Sequence, residues 1–450
     1  MANTYLTRTA SGTDGSNSQR KNTVSMWLKR ASLSDACFIE GQGNNANATQ
    51  AYFDSNANLT INHVSGDSSL NFQIVTNRKF RDISAWYHIV ITIETSLGTA
   101  ADRVKIYVNG VRETSFASAS YPGQNATTQL LARLNLNIIG RRQSGGTGLY
   151  FDGSMSHIHV TDGTAYDASY FGETDATTGE WKIKTDVSVT YGNNGFFILK
   201  DGNSVTDQSG NSNNFTINVG AGGGLNKTED CPSNVFATLN PLSTLSTLTY
   251  AYGNNQITGV NSNVWKTTFS TLGMNYGSSG KYYYEIKVAT LNSQAGIGVW
   301  GEPLPQTVTT NFFPNHHPFG FVYKEDGSVS DDSQTFYTGS SFTSGDIIQC
   351  ALDIDNSKIY FGKNGTWQNS GDPTSGATGT GAVPLEDNGG GAYFFFGTCY
   401  GTDVEQANFG NGYFANNPVS SAGTNASGNG IFEYDVPTGF TALSTKGLNL

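Results

Sequence analysis

The stretch Gly345–Trp367 reads GDIIQCALDIDNSKIYFGKNGTW and contains two short runs rich in β-branched and aromatic residues. An Asn364-Gly365 pair, of the kind that closes antiparallel hairpins, follows the second run. A related pattern, DRVKIYVNG, occupies residues 102–110 and ends on Asn109-Gly110. The similarity of the two patterns predicts a shared sandwich architecture in the two halves of the chain. Two unrelated hairpins are the alternative, because Asn-Gly turns are common.

Similar short segments recur along the rest of the chain, and polar turn residues separate them. A sustained apolar pattern of helical period is missing, so we predict an all-β protein with less than about 10% helix, against a usual 30–35%. The antiparallel sandwich is the architecture that such spacing favours. The further strand candidates are Thr23–Lys29, Trp86–Thr95, Ser156–Val160, Gly195–Leu199, Lys281–Ala289 and Tyr393–Gly397.

A glycine-rich stretch, Val219–Asn226 (VGAGGGLN), interrupts the strand pattern near the middle of the 450-residue chain. Glycine removes side-chain packing and loosens a chain, so this stretch predicts a hinge. We place the first domain at residues 1–225 and the second at residues 226–450.

Composition and charge exclude several classes of function. The net charge is −11, only 14% of residues are charged, and the basic residues form no cluster stronger than Arg141-Arg142. Binding to nucleic acid or to an anionic membrane surface is therefore not expected. Apolar runs fall short of the roughly 18 residues of a membrane helix. The start of the chain also lacks the apolar core of a signal peptide.

Cysteines and histidines give weak evidence for a cofactor. None of the four cysteines has CxxC spacing, so we interpret them as buried thiols, with a Cys350–Cys399 contact across neighbouring strands as an alternative. His157 and His159 fall on one face of a predicted strand and could grip a metal, but a third ligand is not evident. The four cysteines are Cys37, Cys231, Cys350 and Cys399.

The first domain resembles the laminin-G-like, concanavalin-type sandwich family. The matching segments follow the family order and cover about 150 of the first 225 residues. The resemblance implies a concanavalin-like, jelly-roll sandwich. The segments are Val24–Lys29, Trp86–Val90, Lys105–Gly110 and Tyr150–His159.

The second domain resembles a SPRY domain, which is also a bent two-sheet sandwich. The pairing of the two domains, joined through Phe236–Pro241, is similar to virion fibre and appendage proteins of bacteriophages, especially marine ones. The matching segments are Gly280–Glu285, Gly296–Trp300, Gly320–Tyr323, Gly345–Ile354, Lys358–Trp367, Ala407–Gly410 and Pro437–Phe440.

Some concanavalin-type sandwiches are glycosidases, which need two carboxyl groups about 5–5.5 Å apart for retaining hydrolysis. Glu94 and Glu285 are lone acids within their predicted strands. Asp353 and Asp355 have the even spacing that places two side chains on one face, but Asp355 opens a turn. The nucleophile-elbow and HExxH zinc motifs are absent. We therefore expect a protein that is not an enzyme.

Aromatic residues in the predicted loops of the second domain are candidates for stacking on sugars, with core packing as the alternative for each. Asp152 and Asp162 lie in predicted loops of the first domain and are weak candidates for calcium. Apart from that alternative, no cofactor and no metal are expected. The glycan-binding candidates are Trp300, Phe312, Phe313, Tyr323 and Tyr337.

These observations lead to the hypothesis of a non-enzymatic virion protein, made in the host cytoplasm, that belongs to a tail fibre or capsid-surface fibre and binds host cell-surface glycan. The expected partners are other virion proteins, host surface polysaccharide and further copies of the chain, with a trimer as one form. Nucleic acid and membrane insertion are not expected. A purely structural decoration or connector protein is the alternative, and a glycan depolymerase is the third class.

The strand patterns also predict which side chains fill the two cores. Each is a large or branched residue, or a small one within a continuous apolar run. The predicted core residues are Trp27, Trp86, Ile106, Ile139 and Ile158 in the first domain, and Tyr283, Ile286, Val299, Ala351, Ile359 and Phe395 in the second.

Overall fold

A computed structural model shows an almost entirely β-stranded chain, with 44% strand and 5% helix. This confirms the predicted all-β class and the low helix content. The chain forms two compact units, Met1–Lys227 and Thr228–Leu450. The structure describes residues 4–15, 17–43, 47–65, 70–144, 148–200, 204–220, 224–243, 247–260, 264–302 and 313–449.

The strands of the first unit are mostly short and separated by tight turns. Among the residues described in this unit, the 3-10 turns are Ala100–Asp102 and Ala168–Tyr170. The strands are β1 (Tyr5–Thr9), β2 (Lys21–Arg30), β3 (Ala36–Gln42), β4 (Ala48–Phe53), β5 (Asn58–Val64), β6 (Leu70–Lys79), β7 (Trp86–Glu94), β8 (Val104–Val108), β9 (Val111–Arg112), β10 (Phe116–Ser120), β11 (Leu136–Ile139), β12 (Arg141–Arg142), β13 (Leu149–Tyr150), β14 (Gly153–Asp162), β15 (Gly172–Thr174), β16 (Trp181–Ile183), β17 (Phe196–Ile198) and β18 (Thr216–Asn218).

The second unit has the same character. Its 3-10 turns are Pro314–His316, Gln368–Ser370, Pro373–Thr378 and Gly447–Asn449. The strands are β19 (Thr249–Ala251), β20 (Gln256–Thr258), β21 (Trp265–Phe269), β22 (Met274–Asn275), β23 (Lys281–Thr290), β24 (Ala295–Gly301), β25 (Gly320–Lys324), β26 (Ser328–Ser330), β27 (Thr335–Thr338), β28 (Ile347–Asp353), β29 (Lys358–Lys363), β30 (Thr366–Trp367), β31 (Val383–Pro384), β32 (Ala392–Tyr400), β33 (Val404–Asn408), β34 (Tyr413–Phe414), β35 (Asn417–Pro418) and β36 (Thr441–Ala442).

Two antiparallel sheets pack face to face in the first unit. The eight-stranded sheet has the order β10-β6-β5-β4-β3-β11-β1-β18, and the six-stranded sheet has the order β17-β14-β2-β7-β8-β9. Two small hairpins, β12–β13 and β15–β16, lie outside these sheets. Alternating side chains such as Leu6, Met26 and Ile106 point into the space between the sheets, and they form the first core.

The second unit is built in the same way. One sheet has the order β19-β20-β33-β23-β28-β29-β30, with β31 added to β29 and β36 added in parallel to β23. The other has the order β21-β32-β24-β25-β26-β27, with β22 added to β32. Ile286, Val299 and Ile359 lie in the core between them.

All eleven predicted core residues are buried, with exposed fractions between 0% and 7%. Four of them, Trp27, Trp86, Tyr283 and Ala351, lie outside the core between the sheets. Trp27 stacks on His88, at 4.7 Å between ring centroids. Tyr283 and Ala351 belong to a separate apolar cluster with Phe432. Further segments of the chain cover part of the outer faces of the sheets.

Two segments form these covering layers, one in each unit. The first cover, residues 163–191, places Ala168 and Phe171 against Val90 of β7. The second cover, residues 419–443, places Phe432 and Phe440 against a sheet of the second unit. Each sandwich therefore has an additional layer over part of one sheet.

The two Asn-Gly hairpins are alike in detail. Asn109 and Gly110 have φ of 48° and 79°, and Asn364 and Gly365 have φ of 48° and 83°. These are the paired positive φ values that a two-residue hairpin turn of the primed type requires. The Asn109 side chain accepts a bond from the His88 N–H, at 2.8 Å. The two similar sequence segments thus form the same type of hairpin turn in both units.

The cysteines are all free thiols. Cys350 lies on β28 and Cys399 on β32, which belong to opposite sheets. The suggested contact across neighbouring strands is therefore wrong. Burial raises the pKa of both thiols well above the ordinary value, so they pack as small apolar groups. In the described part of the chain, no helix is long and apolar enough to cross a membrane.

Candidate functional site

The structure places the predicted glycan-binding aromatics inside the second unit rather than on accessible loops. Trp300 and Phe313 are 2% and 3% exposed, and Tyr323 is fully buried. Tyr337 is half-buried and packs against the second core. Phe312 lies outside the described residues. The prediction that the rings of Trp300, Phe313 and Tyr323 are accessible for stacking on sugars is therefore wrong.

Phe313 is buried because glycine leaves a slot for its ring. A Cβ atom at Gly296 would lie 2.7 Å from Phe313 Cε2, so the ring occupies the space that any larger residue would fill. Trp265 stacks on the other side of the ring, at 3.9 Å between centroids. The segment looked like an open loop in the sequence, but it closes over the sheet.

Tyr323 and Tyr337 are inner rather than outer residues. The Tyr323 hydroxyl donates to the carbonyl of Ser340 at 2.5 Å, which satisfies the buried phenol. Burial raises the pKa of both tyrosines above the ordinary value. Core packing, the alternative given above, accounts for them.

The calcium candidates are not brought together. Asp152 precedes β14 and Asp162 ends it, so the ten residues of the strand separate the two carboxylates. Asp162 accepts a bond from the N–H of Asn194, at 2.9 Å, and burial raises its pKa. Among the described residues, no group of three or more His, Cys, Asp or Glu side chains could hold a metal ion.

The two histidines of β14 also differ from the expectation. His157 has a φ of 47° and lies in a bulge, which breaks the alternation that would place it beside His159 on one face. The His159 ring stacks on Phe197, at 3.7 Å between centroids, and bonds to the Tyr191 hydroxyl. His159 is therefore packed among aromatic side chains of the first unit.

One Ser–His contact invites a catalytic interpretation. Ser25 Oγ lies 2.8 Å from His88 Nε2, and Trp181 Nε1 donates to His88 Nδ1, also at 2.8 Å. Because indole nitrogen can only donate, Nδ1 must be the acceptor, so Nε2 carries the proton and donates to the serine. Burial lowers the pKa of His88 to about 3. The imidazole therefore cannot take the serine proton as a general base does.

The buried acids act as structural acceptors. Glu285 accepts bonds from the N–H groups of Glu433 and Tyr434, both at 2.9 Å, and from the Tyr283 hydroxyl at 2.8 Å. Asp353 forms an ion pair with Lys281, at 2.8 Å. Neither carboxylate reaches solvent, since both residues are fully buried.

Asp403 and Glu405 are an evenly spaced pair that the sequence analysis missed, although their spacing was visible. Both are fully buried. Asp403 accepts the N–H groups of Asn292 and Ser293, which fixes a loop. Burial raises the pKa of both acids, and repulsion between the two adds to the effect at Glu405. A substrate cannot reach this pair in the structure.

An accessible aromatic group does occur, on the first unit. Tyr5 of β1, Arg141 of β12 and Tyr150 of β13 are each half-buried. The Arg141 guanidinium lies 4.7 Å from the centre of the Tyr5 ring and 5.3 Å from that of Tyr150. The two rings are 6.0 Å apart in an edge-on arrangement. We name these three residues the tyrosine–arginine cluster.

Local geometry builds this cluster. Leu6 points into the core, so Tyr5 points to the outer face of the eight-stranded sheet. Gly140, with φ of 83°, turns the chain out of that sheet after β11. Arg141 and Tyr150 are then direct cross-strand partners in the β12–β13 hairpin. The hairpin thereby carries both side chains to the strand that holds Tyr5.

A buried carboxylate anchors the hairpin. Glu40 of β3 is fully buried and accepts the N–H groups of Gln143 and Ser144, at 2.5 and 3.0 Å. Such charge-assisted bonds are stronger than neutral ones, so they fix the hairpin against the sheet. In the sequence, the Arg141-Arg142 pair and Tyr150 could have suggested this site. No sequence pattern around Tyr5 pointed to it.

Comparisons with known proteins agree with the two-sandwich architecture. Residues 3–169 match the family model described as the concanavalin A-like lectin/glucanases superfamily. Residues 281–384 match the SPRY domain. The chain therefore contains a concanavalin-like domain followed by a SPRY domain. The expected family resemblances are confirmed for both domains, and nothing in these matches indicates a phage virion.

Individual proteins are similar over parts of the chain. The ATP-dependent RNA helicase DDX1 of Xenopus laevis is 36% identical over 101 residues, which are 22% of this chain and 12% of the helicase. The SPRY domain of human HERC1 is 19% identical, with a TM-score of 0.27, over 34% of this chain and 87% of that one. A heptameric SAP-like pentraxin from Limulus polyphemus is 18% identical, with a TM-score of 0.30, over 48% of this chain and 88% of that one.

Proposed function

We propose that the protein is a non-catalytic binding protein that takes glycan at the tyrosine–arginine cluster of its concanavalin-like domain. The observation that carries the proposal is the half-buried Tyr5–Arg141–Tyr150 arrangement on the outer face of a sheet. Binding sites combine aromatic surface with a few placed polar groups. The two rings supply apolar faces for a pyranose, and the phenol and guanidinium groups supply hydrogen bonds for its hydroxyls.

The buried acids support the non-catalytic part of the proposal. Glycoside hydrolysis needs a carboxyl pair on either side of the scissile bond. The evenly spaced acids Asp403 and Glu405 are both fully buried, and Glu173 and Asp175 are bridged by Lys182. The Ser25–His88 contact has the wrong proton arrangement for a nucleophile. The expected outcome is binding without shortening of the polymer.

Binding assays on immobilised polysaccharides test this proposal. Neutral and acidic polymers, such as laminarin, xylan and polygalacturonate, are incubated with the full chain and with a Tyr5→Ala, Tyr150→Ala double variant. We expect at least one polymer to retain the wild-type chain and the double variant to lose most of that retention. Tyr170→Ala is the matched control, because Tyr170 is a 42% exposed tyrosine elsewhere on the same unit.

Two outcomes would overturn the proposal. The first is equal retention of the wild-type chain and the double variant, with both chains folded by circular dichroism. The second is no retention by any polymer. Size analysis of each polymer before and after incubation tests the catalytic alternative, and shortened chains would favour the depolymerase.

We further propose that the protein works on a virion, where copies of it bind host surface polysaccharide as a homo-oligomer. The support is the likeness of the domain pairing and its connector to phage fibre proteins. Several weak sites on one particle would add avidity without new contacts. A map of purified particles with the chain located tests the setting. Its absence from the particles would overturn it, and its presence with no glycan binding would favour the structural decoration protein.

A further inference from the structure

We propose that Arg141 of the tyrosine–arginine cluster recognises the carboxylate of an acidic sugar of the uronic acid class. This inference rests on the proposed function, since it names the ligand class of the same site. The charge of the arginine, its orientation and the surface around it all support this ligand class.

The charge of Arg141 is not neutralised within the described part of the chain. The salt bridges there engage other basic residues. Among the described residues, the Arg141 Nε atom is buried without a hydrogen-bond partner, and the guanidinium contacts the Tyr5 and Tyr150 rings. Residue Glu40, which lies on the strand next to the hairpin, is occupied by two backbone N–H groups. The terminal nitrogens of Arg141 are therefore available to an added acceptor.

The orientation of the guanidinium is set before a ligand arrives. Rings within about 6 Å attract a cation by their quadrupole, and the Arg141 guanidinium has two such neighbours, the Tyr5 ring at 4.7 Å and the Tyr150 ring at 5.3 Å. A planar guanidinium held in this way presents two parallel N–H donors, which match the two oxygens of a carboxylate. The side chain then loses little freedom on binding.

The surroundings favour a sugar acid over an acidic peptide. An extended peptide binds by adding a strand to a free sheet edge, but β12 and β13 are only two residues long each. The flanking tyrosine rings instead offer apolar surface beside the carboxylate site, as a pyranose requires.

Polygalacturonate and the same polymer after chemical reduction of its carboxyl groups provide a matched pair of probes. We expect the full chain to bind the acidic form about tenfold more tightly than the reduced form, as one bidentate contact of this kind allows. Arg141→Gln should abolish this preference. Arg141→Lys should restore only part of it, because lysine acts as a point charge. Arg142→Gln is the matched control and should keep the preference.

The failures are distinguishable. Equal binding of both polymers by the wild-type chain, with loss in the Tyr5→Ala, Tyr150→Ala variant, would overturn the acidic-sugar inference and keep the proposed function. Preference for the acidic form that survives in Arg141→Gln would also overturn the inference. Tighter binding of poly-glutamate than of polygalacturonate would replace the sugar with a peptide. Binding of neither polymer by a folded wild-type chain would overturn the acidic-sugar inference. The proposed function would fall with it only if laminarin and xylan were not retained either.

Discussion

Glu285 shows how one buried side chain links two parts of the second unit. Its carboxylate on β23 bonds to the backbone of the second cover at Glu433 and Tyr434. Burial raises its pKa to about 7, although the bonds it accepts act in the opposite direction. A carboxyl group with a folded-state pKa above its unfolded value stabilises the protonated folded form. Stability from this group is therefore greatest in acid.

The sign of the pH effect gives a prediction for Glu285→Gln. Below the ordinary pKa of 4.5 both states are protonated, and between 4.5 and about 7 only the unfolded state loses the proton. The wild-type chain should therefore lose stability from this group as pH rises through that window. The amide oxygen of glutamine can still accept a backbone bond, so the variant should gain stability relative to wild type from pH 4.5 to 8.

Urea unfolding at half-unit pH steps measures this difference. Glu386→Gln is the control, since Glu386 is an exposed acid of the same unit. A difference between wild type and Glu285→Gln that stays constant with pH would contradict the assignment of the titration to Glu285.

At the scale of elements, the two Asn-Gly hairpins share a further device. A Cβ atom at Gly110 would lie 2.5 Å from the Trp181 ring, and one at Gly365 would lie 2.9 Å from the Tyr434 ring. Trp181 belongs to the first cover and Tyr434 to the second. In both units, an aromatic ring of the cover therefore packs against the glycine of the Asn-Gly turn. The requirement for glycine comes from the positive φ and from this contact together.

Gly365→Ala separates these two causes when it is compared with Gly390→Ala. Gly390 has a φ of 82°, close to the 83° of Gly365, but no atom lies within 4 Å of its Cβ position. Gly390→Ala should cost about 1 kcal/mol from backbone strain alone. Gly365→Ala should cost roughly 1–3 kcal/mol more, because the alanine methyl displaces Tyr434. Chemical denaturation measures both, and equal losses would show that the ring contact is unimportant.

At the scale of the whole molecule, each unit has its own core, and the end of the chain completes the second. Phe432 and Phe440 are each 1% exposed and Val436 is 5% exposed. Leu443 is fully buried and joins the core between the sheets. The C-terminal segment is thus part of the folded second unit.

Deletion of Phe432–Leu450 should therefore unfold the second unit and leave the first folded. Each large apolar side chain that is lost costs about 2–5 kcal/mol, and three or four of them equal the 5–15 kcal/mol stability of a typical domain. Calorimetry should show one transition for the truncated chain where the full chain shows two. Deletion of Leu448–Leu450 is the control, because Leu448 is 37% exposed. Two normal transitions in the long truncation would contradict the prediction.

Much of the architecture could be predicted from local pattern. The strands, the Asn-Gly turns and the eleven core residues follow from alternation and turn chemistry, which act over a few neighbouring residues. The same reasoning could not tell an inner face from a covered outer face. Tyr283 packs against Phe432 of the second cover, and Trp27 stacks on His88, whose ring contacts Trp181 of the first cover. Both cover residues lie more than 100 residues further along the chain.

The candidate site shows the same limit. Phe313 was expected to be accessible because its segment lacks strand character, but the missing Cβ of Gly296 makes room for its ring. Tyr5 and Arg141 are far apart in sequence, and they meet because β1 pairs with β11 and Gly140 turns the chain outward.

The all-β class, the turns, the alternating core positions and the resemblance to the two domain families could be read from the amino-acid sequence, because each depends on local periodicity or short motifs. The folded arrangement of distant segments sets which aromatic residues remain accessible and which arginine lies beside two tyrosine rings. Accessibility and pairing depend on contacts between distant segments, such as those that join Tyr5, Arg141 and Tyr150. These contacts are set by strand order and by the covers, and a local pattern does not encode either one.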